Sequence, residues 1–226
     1  MLHDFISLFY PSVCAACGNS LYKHESVICN KCYVSLPQSN YHKNPNNPLA
    51  TVLKGRFPFV EASAFYLFNK GSRVQRLLHQ LKYKNRPDIG VLIGEWMAEG
   101  MMESVFANAD MILPIPLHPK RQLKRGYNQS TQLANGMGSK LAIPVLENLL
   151  YRKAETKTQT KKGKSDRWDN VEEIFDVSPE ANLEGKKVIL IDDVITTGST
   201  IEACANAIHK HENVQLYVLS MAFAEL

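Results

Sequence analysis

The chain has 226 residues, of which 45% are hydrophobic, and a formal net charge of +4. That length suits one α/β domain plus something small, and the composition supports a sizeable core. No apolar run approaches the ~18 residues of a membrane-spanning helix, which excludes a helical membrane protein. The positive charge is concentrated: residues 152–167 hold seven cations against two acids, and the rest of the chain is near neutral.

At the N-terminus, Leu2, Phe5, Ile6 and Phe9 have helical spacing, which predicts a short docking helix stopped by Pro11. The segment has neither a basic leader nor a small-residue cleavage site, so no signal peptide is read and a cytoplasmic protein is expected. Cys14-x2-Cys17 and Cys29-x2-Cys32 follow. Two short-spaced pairs about a dozen residues apart match a tetrahedral four-thiolate zinc site. Disulfides are disfavoured in a reducing cytosol. A redox pair belongs near a βαβ pattern, which this segment lacks. Four thiolates leave no open coordination position, so the expected metal, Zn²⁺, is structural. A segment as short as 1–40 needs such a staple. Cys204 reads as a buried small apolar residue.

Pro37, Pro45, Pro48 and Pro58 punctuate a stretch rich in Asn, Ser and Lys. The expected division is a zinc ribbon over 1–40, a linker over 41–58 and one α/β domain over 59–226. A strand is predicted over 62–68. A helix follows over 73–83, with Val74, Leu77, Leu78 and Leu81 on one face. It ends in a basic run at Lys82, Lys84 and Arg86. Lys82 itself reads as a solvated surface charge. A second helix starts near Asp88. The next strand covers 111–116, and four cations follow it: Lys120, Arg121, Lys124 and Arg125. They form a basic loop, solvated or ligand-binding. A helix over 128–141 and a strand over 144–151 come next. The basic segment 152–167 is either a solvated loop or a lid that closes over an anionic substrate and excludes water. The last core strand spans 214–223.

The most informative stretch is 188–200, Val-Ile-Leu-Ile-Asp-Asp-Val-Ile-Thr-Thr-Gly-Ser-Thr. Four branched apolar residues fit a parallel strand buried on both faces. Asp192 and Asp193 then stand where the strand ends, the place where open α/β sheets bind ligands. Thr196, Thr197, Gly198, Ser199 and Thr200 lead into a helix over 201–211. A glycine admits close backbone approach, and the helix start favours an anion. Two carboxylates suit paired hydroxyls and the hydroxyl-rich turn suits a phosphate, which together describe one sugar phosphate. A capped βα turn with no ligand is the plain alternative.

These residues resemble the phosphoribosyl-pyrophosphate (PRPP) signature of type I phosphoribosyltransferases. In that family the two acids bind the ribose 2′- and 3′-hydroxyls, and the Thr/Gly/Ser loop binds the 5′-phosphate. The resemblance also makes Pro116, Leu117 and His118 part of a pyrophosphate-gripping loop, with Arg125 beside it, and implies Mg²⁺ with PRPP. The four-cysteine ribbon, Leu81-Lys82-Tyr83, Arg125-Gly126-Tyr127-Asn128-Gln129 and Gln159-x7-Arg167 further resemble the ComF family, phosphoribosyltransferase-like proteins linked to bacterial DNA uptake. Arg167, in the mobile loop of that resemblance, joins Asp192 and Asp193 as a catalytic candidate. Lys162 departs from the pattern, where the family has an apolar residue. The implied fold is a doubly wound, mainly parallel sheet of the type I phosphoribosyltransferase fold carrying a zinc ribbon. The expected function is PRPP-dependent phosphoribosyl transfer to an unknown acceptor. Single-stranded DNA binding and PRPP sensing without turnover compete with it. Basic stretches beside Tyr83, Tyr127 and Trp168 suit a DNA strand. No Ser-His-Asp or Cys-His arrangement is read, and none is needed for chemistry that is mostly electrostatic.

Overall fold

The computed structural model describes residues 12–153 and 174–225. The N-terminal helix expected before Pro11, and Arg167 with most of the basic segment, lie outside the described residues. The centre is a parallel sheet of strands β1 (Glu61–Leu67), β2 (Met111–Pro114), β5 (Lys187–Ile195) and β6 (Gln215–Phe223), in the order β1-β6-β5-β2. A parallel bridge between Ile112 and Val145 extends the edge beyond β2. Two short strands, β3 (Leu150–Arg152) and β4 (Phe175–Val177), pair antiparallel in a separate ribbon. The single strand expected over 144–151 is therefore two pieces on different sheets. The polar Glu147 and Asn148 interrupt its apolar run.

The central strands alternate between two cores, because successive side chains of a strand point to opposite faces. Ile189, Ile191, Tyr217 and Leu219 enter one core; Val188, Leu190, Leu216 and Val218 enter the other. Helices cover both faces, as a doubly wound sheet requires. In the first core lie α3 (Arg73–Tyr83), α4 (Pro87–Met101) and α6 (Gln129–Leu141). The second core takes α2 (Pro48–Leu53) and α7 (Ser199–Ile208). Leu49 and Leu53, within the stretch expected to be a linker, are fully buried there. Asn47 caps α2 and donates from its buried side chain to the Ala62 carbonyl of β1 at 2.8 Å. The cysteine ribbon, with its short helix α1 (Asn30–Ser35), shares the first core through Ala15, Ala16, Val27, Ile28 and Leu36. No helix of the described residues is long and apolar enough to cross a membrane.

This arrangement fixes where a ligand can bind. After β2 the long helix α6 goes to one face, and α7, which follows the neighbouring strand β5, goes to the other. A crevice opens between the carboxyl ends of two such strands. The start of α6 forms one wall of that crevice, and α6 is held by unusually close packing on α4. A Cβ added at Gly136 would lie 2.0 Å from the Val91 carbonyl oxygen, and one at Gly94 would lie 2.1 Å from that of Leu133.

Gly136→Ala weighs two effects. Alanine gains about 1 kcal/mol of helix propensity over glycine. Overpacking against backbone costs about 1–3 kcal/mol or more. The clash is with backbone and cannot relax by a rotamer change, so overpacking should win. Chemical denaturation should show the variant less stable than the parent; equal or greater stability would mean that α4 and α6 are not so closely packed.

Candidate functional site

Strand β5 is longer than its apolar run suggests. Asp192 and Asp193 lie inside it, not beyond its end, because β6 continues alongside with Asp192 opposite Ser220 and Ile195 opposite Phe223. On the other side β2 stops at Pro114, opposite Ile191. The chain then leaves the sheet through Ile115 and Pro116. The acids thus project past the end of one neighbour while the other still holds their backbone. They line a cavity of about 270 Å³ with Pro116, Leu117, His118 and Arg125. Lys82, Arg121, Ser130, Arg152 and Thr200 also line it.

Each acid has a partner from a different helix. Lys82, near the end of α3, places Nζ 2.7 Å from Asp193 Oδ1, and both side chains are largely buried. The expected solvated lysine is instead a structural cation of the site. Ser130, in the first turn of α6, donates its hydroxyl to Asp192 Oδ1 at 2.9 Å. The same oxygen accepts the Asp193 N–H at 2.8 Å. Burial, reinforced by the charge of Asp193, pushes the Asp192 carboxyl from its ordinary 3.8 up to about 7. Asp193 is the acid that keeps a full countercharge.

The cations after β2 are not a loop. Pro119–Arg125 forms a short helix, α5, whose start is capped by His118 Nδ1 accepting from the Lys120 N–H at 3.2 Å. Pro119 at its first position has the fixed φ a helix needs. Gly126 in a left-handed conformation ends it. The Arg125 guanidinium is aimed by two contacts: it donates to Gln129 Oε1 at 2.6 Å and lies 5.2 Å from the Tyr83 ring centroid. Asn128 ties the start of α6 to the chain just after β2 by donating to the Ile115 carbonyl at 2.9 Å. Of the basic segment, Arg152 reaches the cavity, and Lys153 pairs with Asp176 at 3.0 Å.

The hydroxyl-rich turn forms the rim. Thr196, Thr197, Ser199 and Thr200 are exposed, and Gly198 is buried. Gly198 has φ +76, and a Cβ there would lie 2.6 Å from Leu53 Cδ2. The positive φ favours glycine, and a Cβ would in addition push the Leu53 side chain aside. The Thr197 and Ser199 hydroxyls are 3.1 Å apart. Arg56, from the stretch expected to be a linker, donates to the Thr197 carbonyl and to Glu202 of α7. It thereby clamps the turn from outside the cavity.

In the N-terminal ribbon, Cys14, Cys17, Cys29 and Cys32 bring their sulfurs within 4.8 Å of one another, an arrangement that can hold a metal ion. The Cys29 N–H donates to Cys14 Sγ at 3.3 Å. Burial raises the Cys14 thiol, but backbone donors led by Cys29 outweigh it and bring the thiol down to about 7.

The switch-point cavity, the acid pair and the hydroxyl-rich turn define a nucleotide-type α/β protein of the phosphoribosyltransferase class. The model of the phosphoribosyl transferase domain family matches residues 79–220, and the chain belongs to that family. It is similar to Competence protein F of Haemophilus influenzae, at 36% identity over 116 residues, which is 50% of this chain and 51% of that protein. The match thus spans about half of that relative. It is also similar to DNA utilization protein YhgH of Salmonella typhimurium, 24% identical over 95% of this chain and 92% of that one. Competence protein ComFC of Bacillus subtilis is 26% identical over 87% of this chain and 77% of that one. These names agree with the ComF resemblance read from the motifs.

The raised carboxyl makes a testable statement about stability. The folded protein binds a proton at Asp192 that the unfolded chain releases near its ordinary 3.8. Stability from this group is therefore full below that value and is lost as pH rises through about 7. Asp192→Asn keeps an acceptor for Ser130 and removes the charge. It should be more stable than the parent at about pH 8, with the advantage shrinking towards about pH 5. Thermal melts across that range test it; a pH-independent difference would contradict the shift.

Proposed function

We propose that the protein binds PRPP with Mg²⁺ in the switch-point cavity and transfers its phosphoribosyl group to an acceptor, in the context of competence and DNA utilisation that its relatives' names indicate. The observation that carries this reading is the joining, in one cavity and its rim, of an acid pair, a cationic wall and a hydroxyl-rich turn at a helix start. PRPP has a diol, a diphosphate and a 5′-phosphate in that relation.

In this reading Asp192 and Asp193 accept hydrogen bonds from the ribose hydroxyls. A carboxylate has several lone-pair sites, so Asp193 can hold Lys82 and a hydroxyl together. The N–H groups and hydroxyls of Thr196, Thr197, Gly198, Ser199 and Thr200, at the start of α7, take the 5′-phosphate. Pro116, Leu117 and His118 pass beside the diphosphate, with Lys82 and Arg125 supplying positive charge. Mg²⁺ bound with PRPP would add positive charge beside the diphosphate, with few ligands drawn from the protein. Transfer breaks the bond from C1 to the diphosphate oxygen, and the electron pair leaves on the diphosphate. The acid pair and the cations stabilise opposite charges that grow in that step. Arg167, the third catalytic candidate of the sequence, lies outside the described residues.

The ribbon metal is proposed to be structural zinc. Sulfurs around zinc at about 2.3 Å stand about 3.8 Å apart in a tetrahedron, and Cys17 and Cys29 already place theirs 3.8 Å apart. Cys29→Ser should lower the zinc content of the purified chain well below one per molecule, as measured by elemental analysis. Full occupancy would refute the ligand set.

For the sugar phosphate, each hydroxyl–carboxylate bond is worth about 1.5–3 kcal/mol. Asp192→Asn with Asp193→Asn should therefore weaken PRPP–Mg²⁺ binding by at least about tenfold in calorimetry. A 2′-deoxy analogue should lose affinity on the parent and much less on the variant. Equal affinity of both proteins for PRPP would remove the ribose-binding role. Pyrophosphate release on adding an acceptor separates a transferase from a sensor.

A further inference from the structure

A second cavity, of about 400 Å³, opens beside the first. Lys82, Arg121 and Arg125 line both cavities, and Tyr83, Asn85 and Lys124 line the second without the first. Its volume lies in the range of small-molecule sites. The wall has four cations, one amide and one aromatic ring, and no carboxylate. Lys82 is already neutralised by Asp193. Among the described residues, Arg121 and Lys124 have no ion-pair partner. Arg125 has none either, its partners being the neutral Gln129 and the Tyr83 ring, so three uncompensated cations face one small cavity and favour an anion.

The aromatic ring is prepared as well. Tyr83 is 61% exposed, and the Arg125 guanidinium stacks over its ring. Gln129, itself 1% exposed, holds that guanidinium at 2.6 Å. His79 packs on the same ring, with centroids 5.1 Å apart, so the Tyr83 ring is held by two neighbours and its exposed part gives a platform for a planar ring. A neutral nucleobase would use the platform and leave Arg121 and Lys124 unpaired. A bare inorganic anion would use the cations and leave the platform wet.

We propose that this cavity binds an aromatic ring carrying an anionic group, and that this ligand is the phosphoribosyl acceptor. The acceptor role rests on the reading of the first cavity as the PRPP site. In the transfer, a ring nitrogen or substituent oxygen of the acceptor forms the bond to C1. The C1–O bond to the diphosphate breaks, the electron pair leaves on the diphosphate, and the acceptor's proton passes to water. An aromatic carboxylate and a nucleoside monophosphate share the required chemistry.

Calorimetry on the full chain tests this with four probes: phthalate, AMP, cyclohexane-1,2-dicarboxylate (charge without an aromatic ring) and benzamide (ring without charge). With saturating PRPP and Mg²⁺ present, phthalate or AMP should bind at least about fivefold more tightly than either control. The tighter of the two identifies the source. Tyr83→Leu and Lys124→Ala should each weaken that binding by at least about fivefold, and Lys124→Ala, at a residue that does not line the first cavity, should change PRPP affinity less than about twofold. Equal binding of probes and controls would overturn the proposal. So would displacement of phthalate and AMP by PRPP, which would make the cavity part of the PRPP site. Tight binding of a single-stranded oligonucleotide that depends on Tyr83 and Lys124, with no binding of the monomers, would replace an acceptor pocket by a strand interface. Should PRPP itself not bind, the transferase reading and the acceptor role fall together. Probe binding by the free protein, lost in Tyr83→Leu, would then retain only the aromatic-anion site.

Discussion

Two carboxylates held side by side at the end of a buried strand repel each other and lose water. The rest of the site answers that constraint. Asp193 is compensated by Lys82 from α3. Asp192 has hydrogen-bond donors and, among the described residues, no ion-pair partner; burial and then the Asp193 charge raise its carboxyl to about 7. A protein gains no stability from such an arrangement, and a hydrophobic pair there would cost less. Destabilising groups retained at a sheet's carboxyl edge are characteristic of sites that meet a ligand.

The fold is shaped around holding these acids in place. β6 pins their backbone from one side, while β2 ends early and opens the crevice. Lys82 and Ser130 come from α3 and α6, which share one core, and that core also contains the cysteine ribbon. A metal cluster there would staple residues that pack on the same helices. The opposite core carries the clamp on the hydroxyl-rich turn, through Leu53 and Arg56.

Much of this was legible in the sequence. The apolar run before Asp192, the turn after it, and the cysteine spacing are local signals, and local signals survive without a structure. The sheet and its main helices follow from periodicity. What escaped depends on distance along the chain. Lys82 reads as a solvated charge until α3 is laid beside β5, 111 positions later. Arg56 stands 141 positions from the carbonyl it clamps, inside a proline-rich stretch with every mark of a linker. Ser130 is one more polar residue at a helix start. The basic residues after β2 were visible as charge; their helix was not, because Pro119 and Gly126 bracket too short a span for periodicity to register. The strand expected over 144–151 failed for the converse reason, since its apolar run serves two sheets.

The central claim is that one cavity holds both ends of a single sugar phosphate. Phosphorus-31 NMR reads the two ends separately, because the 5′-phosphate and the diphosphate of PRPP resonate apart. Titrating the protein into PRPP with Mg²⁺ should shift or broaden the 5′-phosphate and diphosphate signals together, with one common saturation point. Movement of the diphosphate signals alone, matched by free pyrophosphate at the same protein concentrations, would mean that the cationic wall binds polyanions and that the acid pair and the hydroxyl-rich turn hold no sugar phosphate.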